Sequence, residues 1–167
     1  MEFIFPAYLQ KHIISSMIKA HPYEEVAYDI VPLANEYQEA GSGLIGELPI
    51  PVGEEQFLNQ LKKSFNLSVI KHTKLLGKPV QKVALCGGAG SFLISKAIAG
   101  GADIYITGDV KYHEFFDAND KLIIADIGHW ESEQFTVHLL FDILQSKFPT
   151  FAVQKSEIRT NPVYYFL

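Results

Sequence analysis

Three apolar runs in the second half of the chain limit what it can fold into. Lys82–Cys86, Ile104–Thr107 and Leu122–Asp126 read as strands, and each is followed by a helix-like stretch, Ser91–Ala99, Val110–Asn119 and Trp130–Lys147. Strands that are apolar on nearly every residue need cover on both faces, and strands that alternate with helices run parallel. The pattern predicts a largely parallel α/β sheet with helices on both sides. Phe151–Gln154 and Val163–Phe166 read as further strands.

The first half has another rhythm. Glu2–Ala7 reads as a strand. Leu9–Lys19 reads as a helix, with Leu9, Ile13 and Met17 four apart and Ile14 and Ile18 beside them. His21-Pro22 ends it, because proline disfavours helix in the residue before it. Val26–Leu33 and Ser42–Leu48 read as strands, Gly53–Phe65 as a second amphipathic helix and Leu67–His72 as a last strand. That β-α-β-β-α-β order is ferredoxin-like. Gly and Pro in "LGKPVQK" mark the expected boundary, giving an α+β domain over 1–76 and an α/β domain over 77–167.

Composition excludes some functions. The 167 residues suffice for one ordinary domain or two small ones, and a 48% hydrophobic fraction supplies a core. Acidic residues outnumber basic ones 19 to 14 and Arg159 is the single arginine, which weighs against nucleic acid as a partner. No apolar run is long enough to span a bilayer, and MEFIFPAYL lacks the basic segment of a signal peptide. A single cysteine, Cys86, forms no internal disulfide, so the cytoplasm is the expected compartment.

In open parallel sheets, ligands sit beyond the carboxyl ends of the strands. Three strand ends carry unusual residues there, "LCGGAGSF", "ITGDVKYHEF" and "ADIGHWESE", and the topology puts them on one rim. In the third, His129 and Glu133 are four apart and share a helix face, with Asp126 just before the turn. An imidazole with a carboxylate suits Zn, Mn, Fe or Ni. The plainer alternative is electrostatic: acidic residues in a first helical turn meet its positive end, which covers Glu131 and Glu133. Glu131, Gln134, His138, Asp142 and Gln145 form a separate polar stripe that reads as a solvent face, so His138 is left out of the site.

The second loop offers Asp109, Lys111 and His113. Asp109 suits a helix cap. Lys111 and His113 lie near a helix start, where the dipole disfavours cations, so they fit beside an anionic ligand or a carboxylate-rich metal site, or else simply on the surface. In the first loop, Gly87, Gly88 and Gly90 lead into a helix and can offer backbone N–H groups to a phosphate. The loop matches neither G-x-G-x-x-G nor the P-loop ending, and a tight turn with glycines for close packing explains it equally. Cys86 reads as a buried strand end and not a nucleophile. His21, Glu24 and Glu25 read as a turn after the first helix.

Together "CGGAGS", "TGDVKYH", Asp117-Ala118 and "GHWESE", in this order, resemble the C-terminal part of the Nif-three-like proteins, also called GTP cyclohydrolase I type 2 homologs. "HPYEEVAYDIVPL" resembles the CutA-like domain that some members insert just before that part. The resemblance covers nearly the whole chain. It implies a two-metal site in a toroidal, usually hexameric assembly, with a trimer through the CutA-like domain as a further expectation. Matching G-H-x-x-S-E gives His129 and Glu133 as metal ligands; Ser132 also matches, while Trp130 and Glu131 are this chain's own fill. Asp109 and His113 match a motif near the same cavity. A hydrolytic reaction on a small molecule or nucleotide follows by analogy, because a bound metal lowers the pKa of water. The cyclohydrolase name would mean opening the guanine imidazole ring with loss of formate.

The family takes its other ligands, a histidine pair and an aspartate, from an N-terminal half, and this chain has no His-His pair. A catalytic metal usually has about three protein ligands plus water. The expectation is therefore a fragment that by itself binds metal weakly and is inactive. Two other readings stand beside the metal-dependent hydrolase. One is a non-catalytic oligomerising or regulatory module in which the metal is structural or absent; the other is nucleotide binding at Gly87–Gly90 without chemistry.

Overall fold

Five strands form one sheet: β1 (Leu44–Val52), β2 (Lys71–His72), β3 (Val80–Ala89), β4 (Ile104–Gly108) and β5 (Ile123–Asp126), in the order β1-β3-β4-β5-β2. The structure is a computed structural model that describes residues 2–35 and 40–166. The three central strands run parallel, and the two edge strands pair antiparallel with them. Every residue of β4 and β5 is buried. Alternate side chains go to opposite faces, as strand geometry requires. Ile104, Ile106, Ile123 and Ala125 pack with Phe57 and Leu61 of α2 (Glu54–Ser64). Tyr105, Ile124, Ala84 and Cys86 pack with Ile94 and Ala97 of α3 (Ile94–Ala99) and with Ala118. The two covered faces are why these strands lack polar alternation, each large side chain contributing roughly 1.5–3 kcal/mol by burial.

The chain divides into two compact units, Met1–Gln38 and Glu39–Leu167. The first contains α1 (Gln10–Ala20), entered through a 3-10 turn at Ala7–Leu9. Neither Glu2–Ala7 nor Val26–Leu33 is a strand. Alternation makes a strand only where one face is buried, and Tyr28, Ile30, Val31 and Leu33 are all exposed. The ferredoxin-like block expected over 1–76 does not form among the described residues. The expected boundary at 76/77 also gives way, because β1 and β2 are the two edges of the sheet that β3, β4 and β5 build. β1 carries Pro49 and Pro51, and its register against β3 shifts between Glu47 and Val52. An edge strand tolerates prolines because one side of its backbone needs no ladder partner.

The long helix expected over Trp130–Lys147 is two: α4 (His129–Glu133) and α5 (Thr136–Lys147). At the break, Gln134 Nε2 donates to the carbonyls of Glu131 and Phe65, both at 2.8 Å, and the Phe135 ring meets Phe65 edge to face. Val110–Asn119, expected as a helix, contains a 3-10 helix at Tyr112–Ala118. Phe151–Gln154 and Val163–Phe166 are not strands. Among the described residues no helix is long and apolar enough to cross a membrane.

Candidate functional site

The carboxyl ends of β3, β4 and β5 share one edge of the sheet, and the glycine run, Asp109 and His129 lie just beyond them. The glycine run is not a free loop. β3 continues to Ala89, its register against β4 shifts between Leu85 and Ala89, and Gly88 takes φ +65°. The shift needs a residue in the left-handed region, which glycine supplies without a Cβ penalty. β4 bolts it down. The Thr107 hydroxyl accepts from Gly90 N–H at 3.0 Å and donates to the Gly88 carbonyl at 3.1 Å, and the Tyr105 hydroxyl donates to the Gly90 carbonyl at 2.7 Å. Burial, and then the neighbouring Cys86, push the Tyr105 pKa up, so the phenol keeps the proton it donates.

β5 ends in Asp126, whose side chain is 1% exposed. Its carboxylate accepts from Gly128 N–H at 3.0 Å and Val110 N–H at 3.2 Å, and Lys71 Nζ of β2 lies 2.6 Å away. Buried carboxylates persist where hydrogen bonds and an opposite charge offset desolvation. The two amides matter for position: Val110 follows Asp109, and Gly128 precedes His129. One buried side chain therefore ties both turns together. Their backbones are in contact, since a Cβ on Gly108 would lie 2.8 Å from Gly128 C and His129 N.

His129 opens α4 after Gly128, which takes φ +92°. Its Nδ1 lies 2.6 Å from Asp109 Oδ2, and its Nε2 lies 3.4 Å from Glu133 Oε2 one turn along the helix. Asp109 thus does not cap the next segment; Glu114 accepts the Lys111 N–H there, at 2.8 Å. Asp109 sits at φ +53°, a region aspartate tolerates better than most residues. An Nδ1–H donated to Asp109 leaves the Nε2 lone pair on the Glu133 side. The Asp109 hydrogen bond raises the His129 pKa, against a smaller opposing effect of desolvation, and the Asp109 and Glu133 charges add to the rise. The three side chains are about half exposed, between 50% and 56%.

The bulge completes the arrangement. Gly88 N–H donates to Ser132 Oγ at 2.8 Å, and that hydroxyl donates to the His129 carbonyl at 2.7 Å. A Cβ on Gly88 would lie 2.7 Å from Glu133 Oε1 and 3.3 Å from His129 Cε1 and Nε2. Gly88 is therefore the wall against which the imidazole and carboxylate rest. Gly87 is close as well: a Cβ there would lie 3.6 Å from Glu133 Cγ.

Of the residues singled out in the sequence, His129, Glu133, Asp109, Asp126, Gly87 and Gly88 come together, and Gly90 is held behind them by Thr107. Lys111 and His113 make no side-chain hydrogen bond or ion pair with this group among the described residues; the Lys111 backbone N–H is the main reason the Glu114 carboxyl lies below its ordinary range, and the Lys111 and His113 charges add a little to that. His138 lies on α5, beside Lys155 at 3.3 Å. Among the described residues no group of three or more His, Cys, Asp or Glu side chains is placed to hold a metal ion. No local pattern in the sequence marks Thr107, Lys71 or Ser132 as supports through hydrogen bonds or charge. Only Ser132 had a signal, its place in the "GHWESE" motif.

Several proteins are similar to this chain. A GTP cyclohydrolase 1 type 2 homolog of Halalkalibacterium halodurans is 44% identical over 118 residues, 70% of this chain and 32% of that protein. One of Bacillus subtilis is 37% identical over 131 residues, 78% of this chain and 35% of that protein. The chain thus spans about a third of the length of these relatives. A crystal structure of a Bacillus cereus protein related to NIF3 superposes over 97% of this chain and 46% of its own, with a TM-score of 0.73 at 36% identity. The family model for Duf34/NIF3 (NGG1p interacting factor 3) matches residues 7–162. With that match across most of its length, the chain belongs to the Duf34/NIF3 family.

Proposed function

We propose that this chain is the C-terminal, ligand-bearing part of a dinuclear divalent-metal protein with a hydrolytic reaction, and that His129 and Glu133 are its metal ligands. The observation that carries this reading is the line Asp109–His129–Glu133. A carboxylate on Nδ1 is the usual outer partner of a metal-binding histidine, and it leaves Nε2 facing a second carboxylate. The donor set fits a borderline divalent ion such as Zn, Mn, Fe or Ni. Gly88 supports the fit, because any larger residue would occupy the space the two side chains share.

In this reading Asp109 fixes the tautomer and orientation of His129, Glu133 contributes negative charge, and Asp126 holds the two turns in register. A bound divalent ion supplies a nucleophilic water near neutral pH. Two ligands are fewer than a catalytic site uses, so the others come from outside this chain; the family resemblance assigns them to a histidine pair and an aspartate. Alone, the chain binds metal weakly and is inactive. The relatives' name favours a nucleotide or similar small molecule as substrate. Phosphate binding by the glycine run gains little support, because Ser132 and Thr107 already engage the amides of Gly88 and Gly90.

One observation favours the assembly reading. α5 has no buried residue and exposes Val137, Leu139, Leu140, Ile143 and Leu144, an apolar surface suited to a homo-oligomer, for which the family resemblance implies a hexamer. The two readings separate on H129A and E133A in a full-length protein. Loss of bound metal and turnover with assembly retained supports the hydrolase; retained turnover excludes a catalytic role for the pair. A tightly held, stoichiometric metal in the 167-residue chain would overturn the two-ligand reading.

A further inference from the structure

Gly128, just before the ligand helix, is enclosed by side chains that the metal reading does not use. Glu131 folds back over it: a Cβ on Gly128 would collide with the Glu131 carboxylate and lie 3.3 Å from the Tyr165 hydroxyl. Glu131 is 8% exposed, not part of a solvent-facing stripe. Its partner is Asn161, 4% exposed, whose Nδ2 donates to Glu131 Oε1 at 3.0 Å. The Asn161 Oδ1 accepts from Val163 N–H at 3.0 Å, so the same side chain shapes the C-terminal stretch. Tyr165 brings its phenol beside this group: burial, then the Glu131 and Asp126 charges, raise its pKa. The Arg159 guanidinium lies over the Trp130 ring, 5.2 Å from its centroid. Residues 159–165 thus clasp residues 128–131 through side chains.

α4 needs such outside support. It has five residues and no side-chain N-cap. So short a helix gains little from its own hydrogen bonds, because nucleation outweighs them. Its direction is set by what holds it: Ser132 against Gly88, Gln134 against Phe65 and Glu131 against Asn161. The last acts on the first turn, where the imidazole departs. Without Asn161, Glu131 is a buried carboxylate short of a donor, and such a group moves to water or rearranges its surroundings.

We propose that Asn161, assisted by Tyr165, is a positioning residue for His129: acting through Glu131, it holds the first turn of α4 so that the imidazole stays against Asp109. Its consequence for metal binding rests on the function proposed above, but the position of the imidazole does not.

The test uses the metal-free 167-residue chain and the ring 15N signals of His129, read through its carbon-bound protons. In the wild type the Asp109 contact is expected to hold the proton on Nδ1, so above the imidazole pKa the two ring nitrogens give the separated shifts of a single tautomer. N161A and Y165F are expected to move these shifts toward the mixed-tautomer values of a free imidazole. G101A is the control, because Gly101 has φ +71° and a Cβ added there would meet nothing within 4 Å, so it costs stability without touching α4. It is expected to leave these shifts unchanged. With Mn(II) as probe in a full-length protein, N161A is expected to weaken binding about 10-fold. An unchanged His129 signal in folded N161A overturns the proposal; if N161A does not fold, an unchanged signal in Y165F does so. Absence of Mn(II) binding by the wild type overturns the metal reading alone, because the imidazole signal is read without metal.

Discussion

Replacing Gly88 by alanine separates backbone strain from damage to the site. Gly88 has φ +65°, where an L-residue pays roughly 1–2 kcal/mol. At about 2–4 °C per kcal/mol for a chain of this size, G88A lowers the Tm by about 2–8 °C. The new methyl also meets Glu133 Oε1 at 2.7 Å and His129 Nε2 at 3.3 Å. The first distance is shorter than carbon and oxygen tolerate, so the Glu133 carboxylate must swing away. G101A carries the same backbone penalty at φ +71° but meets nothing within 4 Å. The two variants are therefore expected to melt at similar temperatures and to differ at the site. In a full-length protein, isothermal titration with Mn(II) should show G88A weakened about 10–100-fold and G101A unchanged, the range found when a ligand's support is lost. Equal affinity in both variants would refute the claim that Gly88 makes room for the pair.

Further predictions address the groups around it. D109N keeps the shape of the side chain and removes the carboxylate charge beside Nδ1; the His129 pKa should fall toward the ordinary value of about 6.5, and metal affinity should drop about 10–100-fold, read by NMR titration and by competition with a chelator. The His129 pKa is raised in the folded state, so its stabilising contribution is complete below about pH 6.5 and is lost as pH rises through the folded value; Tm measured from pH 6 to 9 should show that loss in the wild type and less of it in D109N. D126A removes the acceptor of two loop amides and the partner of Lys71, and should cost about 3 kcal/mol in urea unfolding. A cost below about 1 kcal/mol would mean that the two turns hold together without it.

How much of this was legible in the sequence differs from residue to residue. His129 and Glu133 were readable together because helical spacing alone puts positions four apart on one face. Asp109 was readable as polar and as near a strand end, yet its role was not: a cap and an outer carboxylate look identical until the tertiary structure sets His129 beside it. Glu131 shows the reverse error. Its place in a polar stripe suggested solvent, but Asn161, thirty positions along the chain, makes its burial tolerable.

The sequence by itself determined the three central strands, α2 and α3, and the shared face of His129 and Glu133, because periodicity records which side of an element is apolar and needs no knowledge of its partners. Tertiary structure decided the rest. It made β1 and β2 the edges of the main sheet, turned the glycine run into a bulge, and placed Lys71, Asp126 and Asn161 behind α4. Those outcomes depend on which distant segments supply hydrogen-bond partners and opposite charges, and no local pattern in either segment encodes the other.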